Sequence, residues 1–364
     1  MSRPDIVSGF FMKKDEIYMK AAVKNAMKAK GMTGVNPLVG CVIVKNNRII
    51  SEGRHEGPGF AHAEIIAINS AFESLKDSTI YITLEPCNTW GKTPPCVETI
   101  EQIPFKRIVI GAEDPNPLVS GKSIKRLEKK GYDVTVGVLE DEVNAMNPYF
   151  KDYISRKKTY IIIKAALTLD GYLNVNGGES KYFTCEESRT LVHEERFKTD
   201  AILVGSNTVN TDNPILDCRL TKKRYSPSLI ILDFSNKLDY SKNIISDSKR
   251  KKYIFVSEKF KNHIKSEKNI KYFFVKRKES VWKILKNEFY RENIISIYVE
   301  GGADVFSGAI KSGLIDEMQV FYAPILSGGG KRIELPKPAM SGFVLSECKK
   351  IKNDLYARYL CSQD

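Results

Sequence analysis

A histidine, a carboxylate and two cysteines fall into two short motifs early in the chain. His62 and Glu64 share "HAE". Cys87 and Cys96 punctuate "LEPCNTWGKTPPC", each directly after a proline. A zinc ion that activates water needs three protein ligands and one open position, with thiolate sulfur and imidazole nitrogen the preferred donors. A nearby carboxylate must then move protons. The prolines remove backbone donors and fix local geometry, which helps to shape the loop in advance. Zinc deaminases carry H-x-E followed by P-C-x-x-C; here eight residues separate the two cysteines. Taken alone, "HAE" is an ordinary helix start, and two loop cysteines fit either a metal half-site or incidental thiols. Jointly, in strand–helix–strand order, they read as a zinc hydrolytic site, with His62, Cys87 and Cys96 as ligands and Glu64 as proton carrier. Cys41, Cys185, Cys218, Cys348 and Cys361 have no such neighbours and read as buried thiols.

The surrounding pattern must place those motifs. Asp15 reads as the cap of a helix over "EIYMKAAVKNAMKAK" ended by Gly31, with Ile17, Ala21 and Met27 facing inward. "LVGCVIV" is a buried strand, and Asn46-Asn47 turns it into "RIISEG". "HAEIIAINSAFESL" puts Ile65, Ile68, Phe72 and Leu75 on one helical face. "STIYITLEPC" is a strand that runs into the cysteine loop. "RIVIGA" and "YDVTVGV" are strands flanking the helix "SGKSIKRLEKKG". A second run starts at "TYIIIKAALTLDG" and continues through "DAILVGS", "SLIILDF", "KYIFVS", "KYFFV" and "IISIYVEGG". Strands alternating with helices predict two α/β domains, 1–150 and 151–364, joined near the polar segment 151–158.

The chain has 364 residues and a net charge of +13. Sixteen Lys or Arg against five Asp or Glu between Ser241 and Arg291, a net of +11, account for most of it. There the lysines alternate with Ile, Phe, Val and Tyr, the pattern of a solvated face; attraction of anionic small molecules or weak contact with nucleic acid is the other reading, and the charge does not identify the function. No apolar run approaches the ~18 residues of a membrane span, and the first residues lack a secretory pattern. The expectation is a cytoplasmic protein, with no membrane partner, in which thiols stay reduced. An odd count of seven cysteines also speaks against a disulfide framework.

"NPLVGCVIV", "HAE", "TLEPCNTWGKTPPC" and "DPNPLVSGK" resemble the bacterial bifunctional deaminase–reductases of riboflavin biosynthesis, in order and spacing, from about Asp15 through Gly137. The resemblance implies a cytidine-deaminase-like α/β/α domain acting on a phosphoribosylated diaminopyrimidinone. It implies that His62, Cys87 and Cys96 hold Zn2+, that Glu64 shuttles protons and that Asn36 contacts the pyrimidine. It continues through "KAALTLDGYLNVNGGESKYFT", "DAILVGSNTVNTDNPILDCR", "VEGGADV" and "GLIDEMQVFYAPILSGGG". That half resembles a dihydrofolate-reductase-like domain that uses NADPH to reduce the opened ribose to a ribityl chain. Matched residue by residue, Ala166, Tyr182, Thr208, Asp212, Gly302 and Ala303 would contact the cofactor. Ser180, Arg196, Leu216, Arg219 and Glu300 would contact the substrate, the two arginines suiting its phosphate. The family commonly assembles as homo-oligomers.

From the residues alone the second half says less, since "VEGGADV" is not a full dinucleotide fingerprint and a plain tight turn serves equally well. Five positions depart from the family pattern: Asn88-Thr89 for Ser-His, Phe234 for a small hydroxyl residue, Ala61 for proline and Tyr182 for tryptophan. The competing reading is a zinc-dependent nucleic-acid base deaminase with an accessory domain. Such enzymes need a positive channel beside the zinc site, and here the basic stretch lies in the other half.

Overall fold

A computed structural model describes residues 5–90, 94–175, 183–219, 226–264, 267–278, 280–334 and 342–361. It comprises two compact units, Met1–Arg156 and Lys157–Asp364.

The first unit runs α1 (Asp5–Ala26), β1 (Gly40–Lys45), β2 (Arg48–Arg54), α2 (Ala63–Asn69), β3 (Thr79–Leu84), α3 (Cys96–Ile100), β4 (Arg107–Ala112), α4 (Lys122–Lys129), β5 (Asp133–Val136), α5 (Glu140–Met146) and α6 (Phe150–Arg156). Its sheet has the order β2-β1-β3-β4-β5. β1 pairs antiparallel with β2 and β3, while β3, β4 and β5 are parallel. Asn46 and Asn47 both take positive φ, 51° and 59°, which matches the twist a two-residue hairpin needs. One face packs Met19, Ala22 and Ala26 of α1 against Val42, Tyr81 and Val109. The other packs Ala63 and Ala67 of α2, Val97 and Ile100 of α3 and Ile124 and Leu127 of α4 against Ile43, Ile82 and Ile110. This is an α/β/α sandwich.

Two helices differ from the sequence reading. α1 begins upstream of Asp15, so Asp15 is not a cap. It lies buried inside the helix and takes a hydrogen bond from Tyr81 Oη at 2.8 Å and a two-pronged one from Arg107 at 3.2 and 3.1 Å. A carboxylate paired with arginine in this way stitches α1 to the sheet. Ile17 is 64% exposed, and Met19, Ala22 and Ala26 are the inward residues. α2 stops at Asn69, which leaves Phe72 70% exposed; the buried face is Ala63, Glu64 and Ala67. Small residues win that face because the helix lies very close to β2. A Cβ on Gly53 would stand 2.0 Å from the Ala63 carbonyl oxygen and 2.5 Å from the Ala67 nitrogen.

The second unit runs β6 (Tyr160–Thr168), α7 (Glu186–Lys198), β7 (Ala201–Gly205), α8 (Ser206–Asp212), β8 (Ser228–Asp233), α9 (Asn243–Ser246), β9 (Lys252–Ser257), β10 (Ile270–Val275), α10 (Ser280–Glu288), β11 (Ser296–Val299), α11 (Ala303–Ser312), β12 (Glu317–Ala323), β13 (Phe343–Ile351) and β14 (Asp354–Cys361). The nine-stranded order is β10-β9-β8-β7-β11-β6-β12-β14-β13. Strands β6 to β12 are parallel, so their carboxyl ends share one edge. The C-terminal hairpin β13–β14 adds antiparallel strands beyond β12. Side chains alternate across a strand. Ile161, Ile163, Ala165, Ile297, Val299 and Val320 therefore face one apolar core with Trp282 and Phe289. Lys164, Ala166, Tyr298, Glu300 and Gln319 take the opposite face. No helix among the described residues is long and apolar enough to cross a membrane.

Gly53→Ala should lower the first unit's stability by about 1–3 kcal/mol through overpacking. Because the clash moves the start of α2, bound zinc should fall as well. Denaturant unfolding and metal analysis would check this, and reductase activity should be untouched.

Candidate active sites

The first site is built where α2 begins and the loop after β3 ends. His62 is the residue before α2, in an extended conformation, and Cys96 opens α3. His62 Nδ1 lies 3.2 Å from Cys96 Sγ and 3.5 Å from Cys87 Sγ. All three donor atoms fall within 4.8 Å of one another. That spread suits a tetrahedral ion whose bonds are ~2.0–2.3 Å long. The Cys96 N–H donates to Cys87 Sγ at 3.3 Å, and the Val97 N–H to the Cys87 carbonyl at 3.2 Å, so α3 clamps the first cysteine onto the second. The hydrogen bond from Cys96, helped by His62, holds the Cys87 thiol far below its usual range, and the same contact drives Cys96 up.

Glu64 sits in the first turn of α2, 3% exposed, and burial lifts its carboxyl to about 6. Its Oε2 has no hydrogen-bond partner among the described residues. A buried carboxylate oxygen left unpaired is costly, and it points to a ligand that the fold itself does not supply. Asn36 Nδ2 donates to His55 Nε2 at 3.1 Å, and the His55 ring meets the His62 ring edge-on at 5.4 Å. Asn36 is thereby brought to the zinc cluster through His55.

Glu85, two residues before Cys87, is a structural anchor that the sequence reading missed. Its carboxylate accepts from the backbone N–H groups of Asp114, Gly121 and Ser123 at 3.3, 2.9 and 3.0 Å. Ser123 Oγ in turn donates to the Pro86 carbonyl at 2.6 Å. The segment "DPNPLVSGK" is thus hung on the strand end that carries Cys87. A buried glutamate inside an otherwise apolar strand end is the signal that could have revealed it. Asn88 Oδ1 is a second buried oxygen without a partner among the described residues.

The second site lies at the carboxyl edge of the nine-stranded sheet, where open α/β sheets bind ligands. Thr208 and Asp212 lie on α8, which follows β7 directly. Gly302 precedes α11, and a Cβ on it would come 3.8 Å from Thr208 Oγ1. A Cβ on Gly301 would collide with Val305, so that turn requires glycine. Bare backbone opening a helix in this way suits an anionic cofactor group. Ala166 lies near the end of β6, in register with Phe321.

Arg196 and Glu300 do not stand free. Arg196 grips Glu300 with Nε at 2.5 Å and Nη2 at 2.9 Å, and Lys164 Nζ lies 3.5 Å from the same carboxylate. These cations hold Glu300, despite burial, down at about 2. Arg196 spends its remaining Nη1 on the Asp217 carbonyl at 3.1 Å. Arg219, half exposed, rests on Asp217 Oδ1 at 2.6 Å. Leu216 is buried with φ at 52°. Ser180 and Tyr182 lie outside the described residues. Lys164 and the buried His193, pushed down to about 4 by burial and by Arg196 and Arg219, are members of this cluster that the sequence reading did not name. Phe234, the departure on the cofactor side, packs against the apolar core with Lys278 Nζ 5.5 Å over its ring.

Comparison with known proteins covers both units. The family model of the RibD C-terminal domain matches residues 159–356, and that of the cytidine and deoxycytidylate deaminase zinc-binding region matches residues 12–112. The riboflavin biosynthesis protein RibD of Bacillus amyloliquefaciens is 38% identical over 86% of either chain. That of Aquifex aeolicus is 38% identical over 88% of this chain and 89% of its own. The chain belongs to the RibD family. Among solved structures, the diaminohydroxyphosphoribosylaminopyrimidine deaminase/5-amino-6-(5-phosphoribosylamino)uracil reductase of Thermotoga maritima superposes with a TM-score of 0.79 at 33% identity. It is matched over its whole length by 97% of this chain. RibD of Acinetobacter baumannii gives 0.74 at 30% identity, with the same coverage. The chain is therefore a bifunctional riboflavin-pathway enzyme, with a zinc deaminase first and a reductase of dihydrofolate-reductase-like fold second.

The other cysteines are all free thiols. Cys41 and Cys218 are buried as expected, Cys185 and Cys361 are partly covered, and Cys348 is exposed on the edge strand β13, most of whose residues are exposed.

Glu64→Gln keeps the shape of the first site and removes its base. Zinc content should stay near one ion per chain while deamination falls ~10²–10⁴-fold, measured by metal analysis and ammonia release. Glu300→Gln leaves the buried Arg196 without its counter-charge, which should cost the second unit about 3–5 kcal/mol. Chemical unfolding should record that loss with ammonia release unchanged.

Proposed function

We propose that this chain deaminates 2,5-diamino-6-(5-phosphoribosylamino)pyrimidin-4-one in its first unit and reduces the ribosyl side chain of the product to ribityl with NADPH in its second. The observation that carries the first step is the unpartnered Glu64 Oε2 beside three convergent zinc donors. His62, Cys87 and Cys96 would hold zinc, which when bound would make a water acidic enough to attack near neutral pH. Glu64, raised to about 6, takes a proton from that water and returns protons to the ring nitrogen and to the departing ammonia. Water adds at the ring carbon, the carbon–nitrogen bond to the exocyclic amine breaks, and a carbonyl remains. Asn36 orients the pyrimidine beside His55.

In the second unit Thr208, Asp212, Gly302, Ala303 and Ala166 would hold NADPH, which when bound would supply the hydride for C1 of the opened ribose. Glu300, kept anionic by Lys164 and Arg196, accepts hydrogen bonds from the substrate's hydroxyl groups. With Arg196 committed to Glu300, the more exposed Arg219 is the arginine left to meet the phosphate. The substrate is a small phosphorylated pyrimidine and not a nucleic acid, because the lysine-rich stretch belongs to the unit without the zinc donors. By family resemblance the enzyme acts in the cytoplasm as a homo-oligomer.

The ribotide should release ammonia without NADPH. NADPH oxidation should then follow only in the presence of that product. Absence of ammonia release by zinc-loaded enzyme would overturn the first assignment. Ammonia without any NADPH oxidation would overturn the second alone.

A further inference from the structure

We propose that Arg250 is a positioning residue of the reductase, fixing the backbone from which Leu216 and Arg219 serve the substrate; this rests on the reading of the second unit as a ribotide reductase. Arg250 lies two residues before β9 and is 5% exposed. Its Nε donates to the Pro227 carbonyl at 2.8 Å, its Nη1 to that of Ile215 at 2.9 Å and its Nη2 to that of Leu216 at 2.9 Å. One guanidinium thereby ties together the two flanks of the segment 217–226.

Burial holds Arg250 down to about 10, and each of these three donors points at an uncharged carbonyl. A buried cation satisfied by neutral acceptors is an expensive way to close a loop, unless the geometry requires a rigid planar fork. The geometry here does. Leu216 holds φ at 52°, a left-handed conformation that an L-residue with a side chain adopts only under constraint. Its carbonyl is the one bonded to Nη2. One residue on, the Asp217 carbonyl is held by Arg196 Nη1 at 3.1 Å, and the Asp217 carboxylate holds Arg219 at 2.6 Å. Two buried arginines therefore grip successive carbonyls, and the second of them is locked to Glu300. Releasing Arg250 lets Leu216 relax toward the right-handed region, which rotates Asp217 and carries Arg219 away from the line set by Glu300. A cationic ammonium on a flexible stem cannot reach three carbonyls at fixed angles, so charge alone does not replace the fork.

Arg250→Lys and Arg250→Gln would be compared with wild type in the full-length zinc-loaded chain. Ribotide turnover is followed by NADPH oxidation, and ammonia release is recorded in parallel. The KM for the deaminated ribotide should rise about tenfold in both variants, equivalent to about 1.4 kcal/mol of lost binding. The KM for NADPH should stay within about twofold and kcat should fall less than the ribotide KM rises. Ammonia release should not change. Three results overturn the proposal: an unchanged ribotide KM, full rescue by lysine, or loss of NADPH binding together with ribotide binding, which marks a purely structural residue. Wild-type enzyme that releases ammonia yet never oxidises NADPH sinks the reductase reading itself, before any variant is compared.

Discussion

Three glutamates lie buried next to this chain's chemistry, and the cost of taking a carboxylate out of water dictates what surrounds each one. Glu85 is met by three backbone N–H groups. Its charge is absorbed by the fold, and in exchange it fixes the loop behind the zinc cysteines. Glu300 is met by Arg196 and Lys164, which keep it anionic at any physiological pH. Glu64 has one oxygen that none of the described residues meets, and burial raises its proton affinity. Glu300 is a stable anion and Glu64 is a group poised to exchange a proton. The same side chain serves as anchor, fixed charge and base according to how far its neighbours compensate its burial.

That compensation depends on close backbone approaches more than on side-chain contacts. α2 can present His62 and Glu64 to the loop after β3 only because Gly53 lets its first turn lie directly on β2. Likewise Gly40 admits the α1 backbone, where a Cβ would stand 2.1 Å from the Ala22 carbonyl. The sheet order then places the end of β3, next to β1, beside the start of α2. Cys87 and His62 meet although 25 positions separate them. The second site follows the same logic at a different edge, with bare glycine turns after β7 and β11 packed on Val305.

The zinc donors were legible in the sequence because their chemistry is written in residue type and spacing. So were the strands of both sheets up to β11, most of which carry continuous apolar runs. What escaped was decided by long-range contact. Asp15 looks like a cap until Tyr81 and Arg107, far along the chain, claim its carboxylate. Phe72 has the right period for a helical face, yet α2 has already ended. Arg196 matched a substrate position, but only the fold shows its fork committed to Glu300. The hairpin β13–β14 carries mixed polar and apolar residues, since only part of it is covered, and no simple periodicity marks it.

The lysine-rich stretch from Ser241 to Arg291 shows how one composition divides into separate roles. β10 is an outer strand of the nine-stranded sheet, and an unpaired edge invites pairing with another chain. Lys271 and Lys276 stand well exposed on and just after it, at 55% and 84%. Such charges guard an edge against association without contributing to a binding groove. Other cations of the stretch are buried instead. Lys286 is paired with Asp316, whose carboxylate also accepts the Ile161 N–H at 2.7 Å and so ties the helix before β11 to the start of β6. Arg250 grips the backbone beside the reductase site. Within one basic run, cations thus stand on an edge, tie the core and grip backbone carbonyls.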